Sequence, residues 1–313
     1  MTEKYLVTGG AGFIGSNIAR ELLERGAYVR ILDDLSTGLE ENIRGLKGKV
    51  DFIKGDIRDR LEVKNAVKGV DFVIHQAALG SVARSIESPG ETNDVNVGGT
   101  LNMLINAREA GVKRLIYASS SSVYGNCKIF PQDESFKPDP ISPYAVSKLA
   151  GEHYCRVFTE TMGFEAVSLR YFNVFGPRQN PKSKYSAVIP IFITKLLNDQ
   201  PCVINGDGTQ SRDFTFVSNV VRANIAACTR AGAAGKVINV ACGETHSVQD
   251  VADGIKKILN KDIDSIHGVE RAGDIKKSIA DIKMLKEVLS IETDVKFDEG
   301  LKRTVDWFRK SGL

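Results

Sequence analysis

The segment that most constrains this chain is Thr8-Gly9-Gly10-Ala11-Gly12-Phe13-Ile14-Gly15. It follows an apolar run, Tyr5–Thr8, and opens a stretch in which Ile14, Ile18, Leu22 and Leu23 fall on one face of a helix. The glycines satisfy both G-x-G-x-x-G from Gly10 and G-x-x-G-x-x-G from Gly9. That spacing permits a tight turn, lets backbone approach a pyrophosphate, and lets helix and strand pack closely. The helix N-terminus adds unpaired N–H groups and a positive dipole end. Gly9, Gly12, Phe13, Ile14 and Gly15 are therefore expected to hold a dinucleotide.

The first half of the chain repeats this alternation. Apolar runs at Tyr5–Thr8, Tyr28–Leu32, Val50–Lys54, Phe72–His75, Leu115–Ala118 and Ala166–Leu169 read as strands with helical patterns between them. Strands alternating with helices imply right-handed crossovers and a buried parallel sheet. The expectation is an α/β fold: a Rossmann-type doubly wound parallel sheet with a smaller, discontinuous C-terminal substrate domain. Residues 1–176 form the first unit and 177–313 mainly the second, with segments near 214–240 returning. Thr215–Val217 and Val237–Val240 are the candidates to rejoin the main sheet. Helical patterns at Val248–Leu259 and Gly300–Phe308 are amphipathic, and Trp307 reads as packing.

Composition narrows the function classes. A formal charge of +3 over 313 residues, with no Lys/Arg block, offers nothing to nucleic acid or an anionic membrane. The longest apolar stretch, Val188–Leu197, is broken by Pro190, Thr194 and Lys195, far short of the ~20 residues a span needs. The first strand starts at once, so no leader is expected. Five scattered cysteines without a C-x-x-C pair, and four histidines without ligand spacing, argue for a reduced, cytoplasmic, metal-free protein.

Asp33 ends the second strand, 18 residues after Gly15. Its carboxylate can accept from the adenosine ribose hydroxyls and would repel a 2′-phosphate, as would Asp34. NAD rather than NADP is expected, with Ser36, Thr37 and Gly38 in the same loop. Asp56-Ile57, after the third strand, either hold the adenine or form an ordinary turn.

Tyr144 and Lys148 lie four apart in a segment that Ser142 can cap and Pro143 can start as a helix. Residues four apart share a helix face. A tyrosine keeps its proton to a pKa of roughly 10, and a neighbouring ammonium lowers that value. The pair is thus a candidate proton carrier.

Together these motifs resemble the extended short-chain dehydrogenase/reductases: the glycine loop at 8–15, Ser-Ser-Ser-Ser-Val-Tyr-Gly at 119–125, and Tyr-x-x-x-Lys at 144–148. Arg170-Tyr171-Phe172-Asn173-Val174-Phe175-Gly176-Pro177, Gly206-Asp207-Gly208 and Arg212-Asp213-Phe214 resemble the nucleotide-sugar branch, with the 4-epimerases nearest. The resemblance implies Ser120 as the catalytic hydroxyl beside Tyr144 and Lys148, and Ser122 as a sugar contact. It places Gln76, Ala77, Ala78, Asn96 and Tyr171 along the cofactor. Ser81, Val188, Asn173 and Asn205 fall to the substrate. Arg212 and Arg271 match diphosphate-binding arginines, as suits planar guanidinium groups, and Asp274 a ribose contact.

The implied reaction is NAD-dependent 4-epimerisation of a UDP-sugar through a transient 4-ketose. Dehydratases of the same frame place Asp-Glu where Ser121-Ser122 stand, and decarboxylases a Glu at Ser122, so neither elimination nor decarboxylation is expected. Ser278, seven residues after Arg271, matches a gate that admits N-acetyl groups when small. UDP-GlcNAc and UDP-GalNAc are the expected substrates, with UDP-Glc and UDP-Gal as further candidates. Ala272 in place of proline, Lys276-Lys277 in place of Arg-His, and Gly80 and Ala83 depart from that group. A UDP-glucuronate 4-epimerase is the enzymatic rival, and a non-catalytic NAD-binding sensor the other. A homodimer through Thr92–Ala110 and Tyr144–Thr161 is implied, although Leu101, Leu104, Ile105, Leu149 and Phe158 would be equally apolar packed on the sheet.

Overall fold

Seven parallel strands form the centre of the molecule, in the order Val237–Val240, Ala166–Tyr171, Arg114–Ser120, Phe72–His75, Lys4–Thr8, Tyr28–Asp33, Asp51–Lys54. The computed structural model describes residues 2–182, 186–270 and 276–311. The expected doubly wound α/β sheet is present. The strand order reverses direction between Lys4–Thr8 and Phe72–His75, so their carboxyl ends splay into a crevice. Thr8, Asp33, His75, Ser120 and Tyr171 all end strands on that side.

The strands are Val/Ile/Leu-rich because helices cover both faces, which leaves no solvated side to alternate with. Two strands run further than their apolar cores. Arg114–Ser120 and Ala166–Tyr171 extend through Ser119 opposite Arg170 and Ser120 opposite Tyr171. Ser119 and Arg170 are polar yet buried, because both bond Glu152 from a covering helix. Val237–Val240 rejoins the sheet beside Ala166–Tyr171. Thr215–Val217 does not: Thr215–Phe216 pairs with Val174–Phe175 in a separate two-stranded sheet, and Val217 opens a helix to Thr229.

The helix implied over 92–110 is present from Pro89 to Glu109, with a π turn at Asp94–Gly98 between the α-helical Pro89–Asn93 and Gly99–Glu109. The π turn swings Asn96 inward, where its carboxamide oxygen accepts from Leu79 N at 2.8 Å. Pro143–Met162 is one helix, started by Pro143 and capped by Ser142, whose hydroxyl accepts from Ala145 N at 3.2 Å. Leu104 and Phe158 point into the core beside the sheet, whereas Val146, Val157 and Met162 are exposed.

The core on one sheet face runs without a break into the C-terminal half. Phe175 meets Phe214, Phe216 and Phe297 with ring centroids 6.3, 5.7 and 5.8 Å apart, and the Phe297–Ser311 helix buries Leu301, Val305 and Phe308 against the same cluster. Trp307 packs at its edge. The proline-rich loop before Ser142 docks at Gly125 (φ +56°), where a side chain would lie 1.7 Å from the Asp139 carbonyl. That close approach sets the distance between the Ser120 turn and the Pro143 helix. No helix among the described residues is long and apolar enough to cross a membrane.

Candidate functional site

The glycine loop fits a dinucleotide on steric grounds. A Cβ at Gly15 would sit 2.2 Å from the Gly9 carbonyl oxygen, and one at Gly9 (φ +64°) 2.8 Å from Ala77 N. Phe13–Glu24 begins with no side-chain cap, so its first N–H groups are available to phosphate oxygens. Asp33 is buried at 6% exposure, and burial raises its pKa against the lowering effect of the Leu35 and Ala11 N–H groups. Its two oxygens accept from Ala11 N at 2.9 Å and Leu35 N at 2.8 Å, so it braces the loop. Each oxygen retains a second lone pair.

The neighbouring positions divide by their bonds. Asp34 accepts from the Ser36 N–H and hydroxyl, and Thr37 is exposed. Gly38 approaches Asp33 so closely that a Cβ would lie 2.7 Å from its carboxylate. The Asp56 carboxylate is held by Arg58, which lowers its pKa, while Ile57 is buried under Gly99. Gln76 donates to the Tyr171 hydroxyl at 2.9 Å and to Asn224 at 3.2 Å, with Ala77 and Ala78 beside it at the strand end. Asn224, on the Val217–Thr229 helix, has no signal in the linear sequence; only the fold brings it under Tyr171.

Ser120, Tyr144 and Lys148 converge above the crevice. Lys148 is 4% exposed and lies between the rings of Tyr117 and Tyr144, 5.2 and 5.8 Å from their centroids. It donates to the Ala118 carbonyl at 2.8 Å, and burial pulls its pKa down to about 8. The expected lowering of Tyr144 by this ammonium is not what the structure shows. Burial raises the Tyr144 pKa, and the group that counters it is the Ser120 hydroxyl. Desolvation of the enclosed phenol is the larger influence. Ser122 donates to the Ser120 oxygen at 2.9 Å, leaving the Ser120 hydroxyl hydrogen free to point at Tyr144 or a ligand.

On the C-terminal side Asn173, Val188, Asn205 and Arg212 line one cavity of about 450 Å³. Gln210 and Phe214 line it too, and sequence reasoning did not single them out. Asn173 adopts φ +33° and donates to the Asp213 carbonyl at 3.2 Å and the Ser278 hydroxyl at 3.3 Å. Ser278 is 6% exposed, so it is no ordinary surface-loop serine. Ser81 caps the short Val82–Glu87 helix. Arg271 and Asp274, with Ala272 and Gly273, lie outside the described residues.

Residues 5–241 match the NAD dependent epimerase/dehydratase family. The chain is 40% identical over 308 residues to a putative UDP-glucose 4-epimerase of Methanocaldococcus jannaschii, covering 98% of both. It superposes with TM-score 0.95 and 41% identity on a UDP-N-acetylglucosamine 4-epimerase from Methanobrevibacter ruminantium solved with UDP-N-acetylmuramic acid, covering 99% of this chain and 100% of that one. A UDP-glucuronic acid 4-epimerase from Bacillus cereus, in complex with UDP-glucuronic acid and NAD, superposes with TM-score 0.91 at 33% identity, covering 98% and 99%.

Proposed function

This chain belongs to the NAD-dependent epimerase/dehydratase family and is a UDP-sugar 4-epimerase with NAD as its cofactor, and on that premise we propose that it interconverts UDP-GlcNAc and UDP-GalNAc, with UDP-Glc and UDP-Gal as further substrates. The observation that carries the sugar assignment is Ser278, a small, buried side chain that accepts a hydrogen bond from Asn173, which itself lines the cavity. A hydroxymethyl group there leaves room for an acetamido substituent that a larger side chain would displace.

NAD, when bound, supplies a reversible hydride acceptor. Tyr144, in its phenolate form, takes the proton of the sugar 4-hydroxyl and later returns it. Ser120 donates to the 4-oxygen and stabilises charge as it develops there. Lys148 bonds the cofactor ribose and keeps a positive charge beside the phenol. Arg212, with Arg271, binds the diphosphate, and Asn173, Ser81 and Ser122 orient the sugar. Asp33 accepts from the adenosine ribose. No carboxylate stands at 121 or 122 to expel water, so the ketose is reduced again rather than dehydrated. Residues 1–176 carry the cofactor and 177–313 mainly the UDP-sugar; two copies pair through Thr92–Ala110 and Tyr144–Thr161, and the protein works in the cytoplasm.

The UDP-glucuronate reading rests on Lys276 and Lys277. Lys276 is 88% exposed and lies near Glu270, and Lys277 lies over the Phe130 ring, so each has a contact of its own. The deciding experiment is a coupled assay on UDP-GlcNAc, UDP-GalNAc, UDP-Glc, UDP-Gal and UDP-GlcA with wild type and Ser278→Tyr. The variant should lose the acetylated pair and keep the plain pair. Undiminished turnover of UDP-GlcNAc by Ser278→Tyr would remove the gate, and a wild type active on UDP-GlcA alone would replace the substrate.

A further inference from the structure

His75 ends the strand beside the glycine loop, is 1% exposed, and has no part in the reaction described above. Its Nδ1 lies 2.7 Å from the Thr8 hydroxyl and its Nε2 3.1 Å from the Thr100 hydroxyl. The direction of each bond follows from counting hydrogens. Thr100 spends its one hydroxyl hydrogen on the Asn96 carbonyl at 2.6 Å, so toward the imidazole it can only accept. His75 therefore carries its proton on Nε2, and Nδ1 accepts from Thr8. The Thr8 oxygen in turn accepts from Ala77 N at 3.2 Å.

The same path continues to the catalytic helix. Asn96, held in the π turn Asp94–Gly98, donates its carboxamide N–H to the Ser147 hydroxyl at 3.0 Å. Ser147 donates to the Tyr144 carbonyl at 2.7 Å. Thr8, the first residue of the glycine loop, and Tyr144 are thus joined by a run of buried bonds with no donor or acceptor left over at His75. A π turn within a helix often marks a functional site, and here it is what turns Asn96 both ways.

We propose that His75 is a positioning residue, which as a neutral Nε2–H imidazole transmits the position of the glycine loop, through Thr100 and Asn96, to the helix turn that carries Tyr144. Neutrality is consistent with its surroundings: burial, with the Lys148 charge as a lesser cause, holds its pKa at about 3. A protonated ring would present a second donor to Thr8, break the bond order, and set a cation near Lys148. The inference rests on Tyr144 as the proton carrier, but its test is separable from that reading.

Two variants remove the path by different means. His75→Phe keeps an aromatic ring and loses both bonds, while Thr100→Val keeps the ring and loses the onward bond. With whichever UDP-sugar wild type turns over, each should lower kcat by on the order of 10- to 100-fold, as a misplaced reacting group does, with KM and melting temperature little changed. The acid limb of the pH–rate profile should move with it. Thr100→Ser, which retains the hydroxyl, should restore kcat, and the double variant should be no worse than the poorer single one. If Thr100→Val folds and matches wild type in kcat and pH profile, the inference is overturned, even if His75→Phe does not fold. A kcat loss that only follows a fallen melting temperature in both variants also overturns it. Activity surviving in Tyr144→Phe would instead sink the assignment of the proton carrier.

Discussion

The two ends of the crevice are built by different means. At the glycine-loop end, where we propose the cofactor binds, the surface is backbone: glycines that admit no Cβ, a helix N-terminus, and strand ends in fixed register. At the opposite end, where we propose the sugar binds, the surface consists of side chains from separate segments, with Asn173, Asn205 and Arg212 brought together by short two-stranded pairings and an aromatic floor. Backbone surfaces select by excluding any side chain, so they tolerate almost no change. Side-chain surfaces can be retuned one residue at a time.

The largest expected effect lies where the two ends meet. Tyr144→Phe should cut kcat by roughly 10²- to 10⁴-fold while NAD content and UDP-sugar binding persist; rapid turnover by this variant would show that another group moves the proton. Gly15→Ala would set a methyl 2.2 Å from the Gly9 oxygen and should lose bound NAD and ~1–3 kcal/mol or more of stability. Bound NAD at the wild-type level in a stable Gly15→Ala protein would break the contrast drawn between the ends. Asp33→Ala removes both the loop brace and the ribose acceptor, so it should weaken NAD binding by about 10-fold or more, measured by titration of cofactor-free protein.

Lys148→Met tests the junction through stability rather than rate. The folded-state pKa of Lys148 is lowered from 10.5 to about 8, so at pH 7 the folded protein bears the cost of a buried charge, on the order of 3 kcal/mol at about 1.4 per unit. Between pH 8 and 10.5 the unfolded chain binds more protons at this site, so wild-type stability gains as pH rises through that window. Lys148→Met should therefore be inactive yet more stable at pH 7, with the advantage shrinking toward pH 10. A lower melting temperature at pH 7 would mean that the bond to Ala118 outweighs the buried charge. The smallest effect belongs to the periphery: Ser247→Ala removes the capping box of Val248–Leu259 and should cost ~1 kcal/mol in denaturant unfolding without touching kcat.

How much was legible follows the same divide. The glycine loop, Phe72–His75, Val237–Val240 and Val248–Leu259 are local patterns, and they stand in the structure where periodicity puts them. The π turn at Asp94–Gly98 was not legible, because Asn96 within it answers to Leu79 and Ser147 rather than to neighbouring residues. Thr215–Phe216 reads as a strand of the main sheet but pairs with Val174–Phe175, since Thr215 N donates to the Asn173 carbonyl and the phenylalanines need a common core. Ser119 and Arg170 end apolar runs in the sequence and continue strands in the fold, because Glu152 waits on the covering helix.

The sequence by itself determined the doubly wound sheet, the glycine loop that opens its first helix, and the trio Ser120, Tyr144 and Lys148, because each depends on spacing within one or two elements. Tertiary structure alone decided the charge state and surroundings of that trio. Lys148 bonds a strand carbonyl, burial raises Tyr144, and His75 is held neutral between Thr8 and Thr100. Desolvation and bond direction depend on atoms far apart along the chain, and no local pattern carries them.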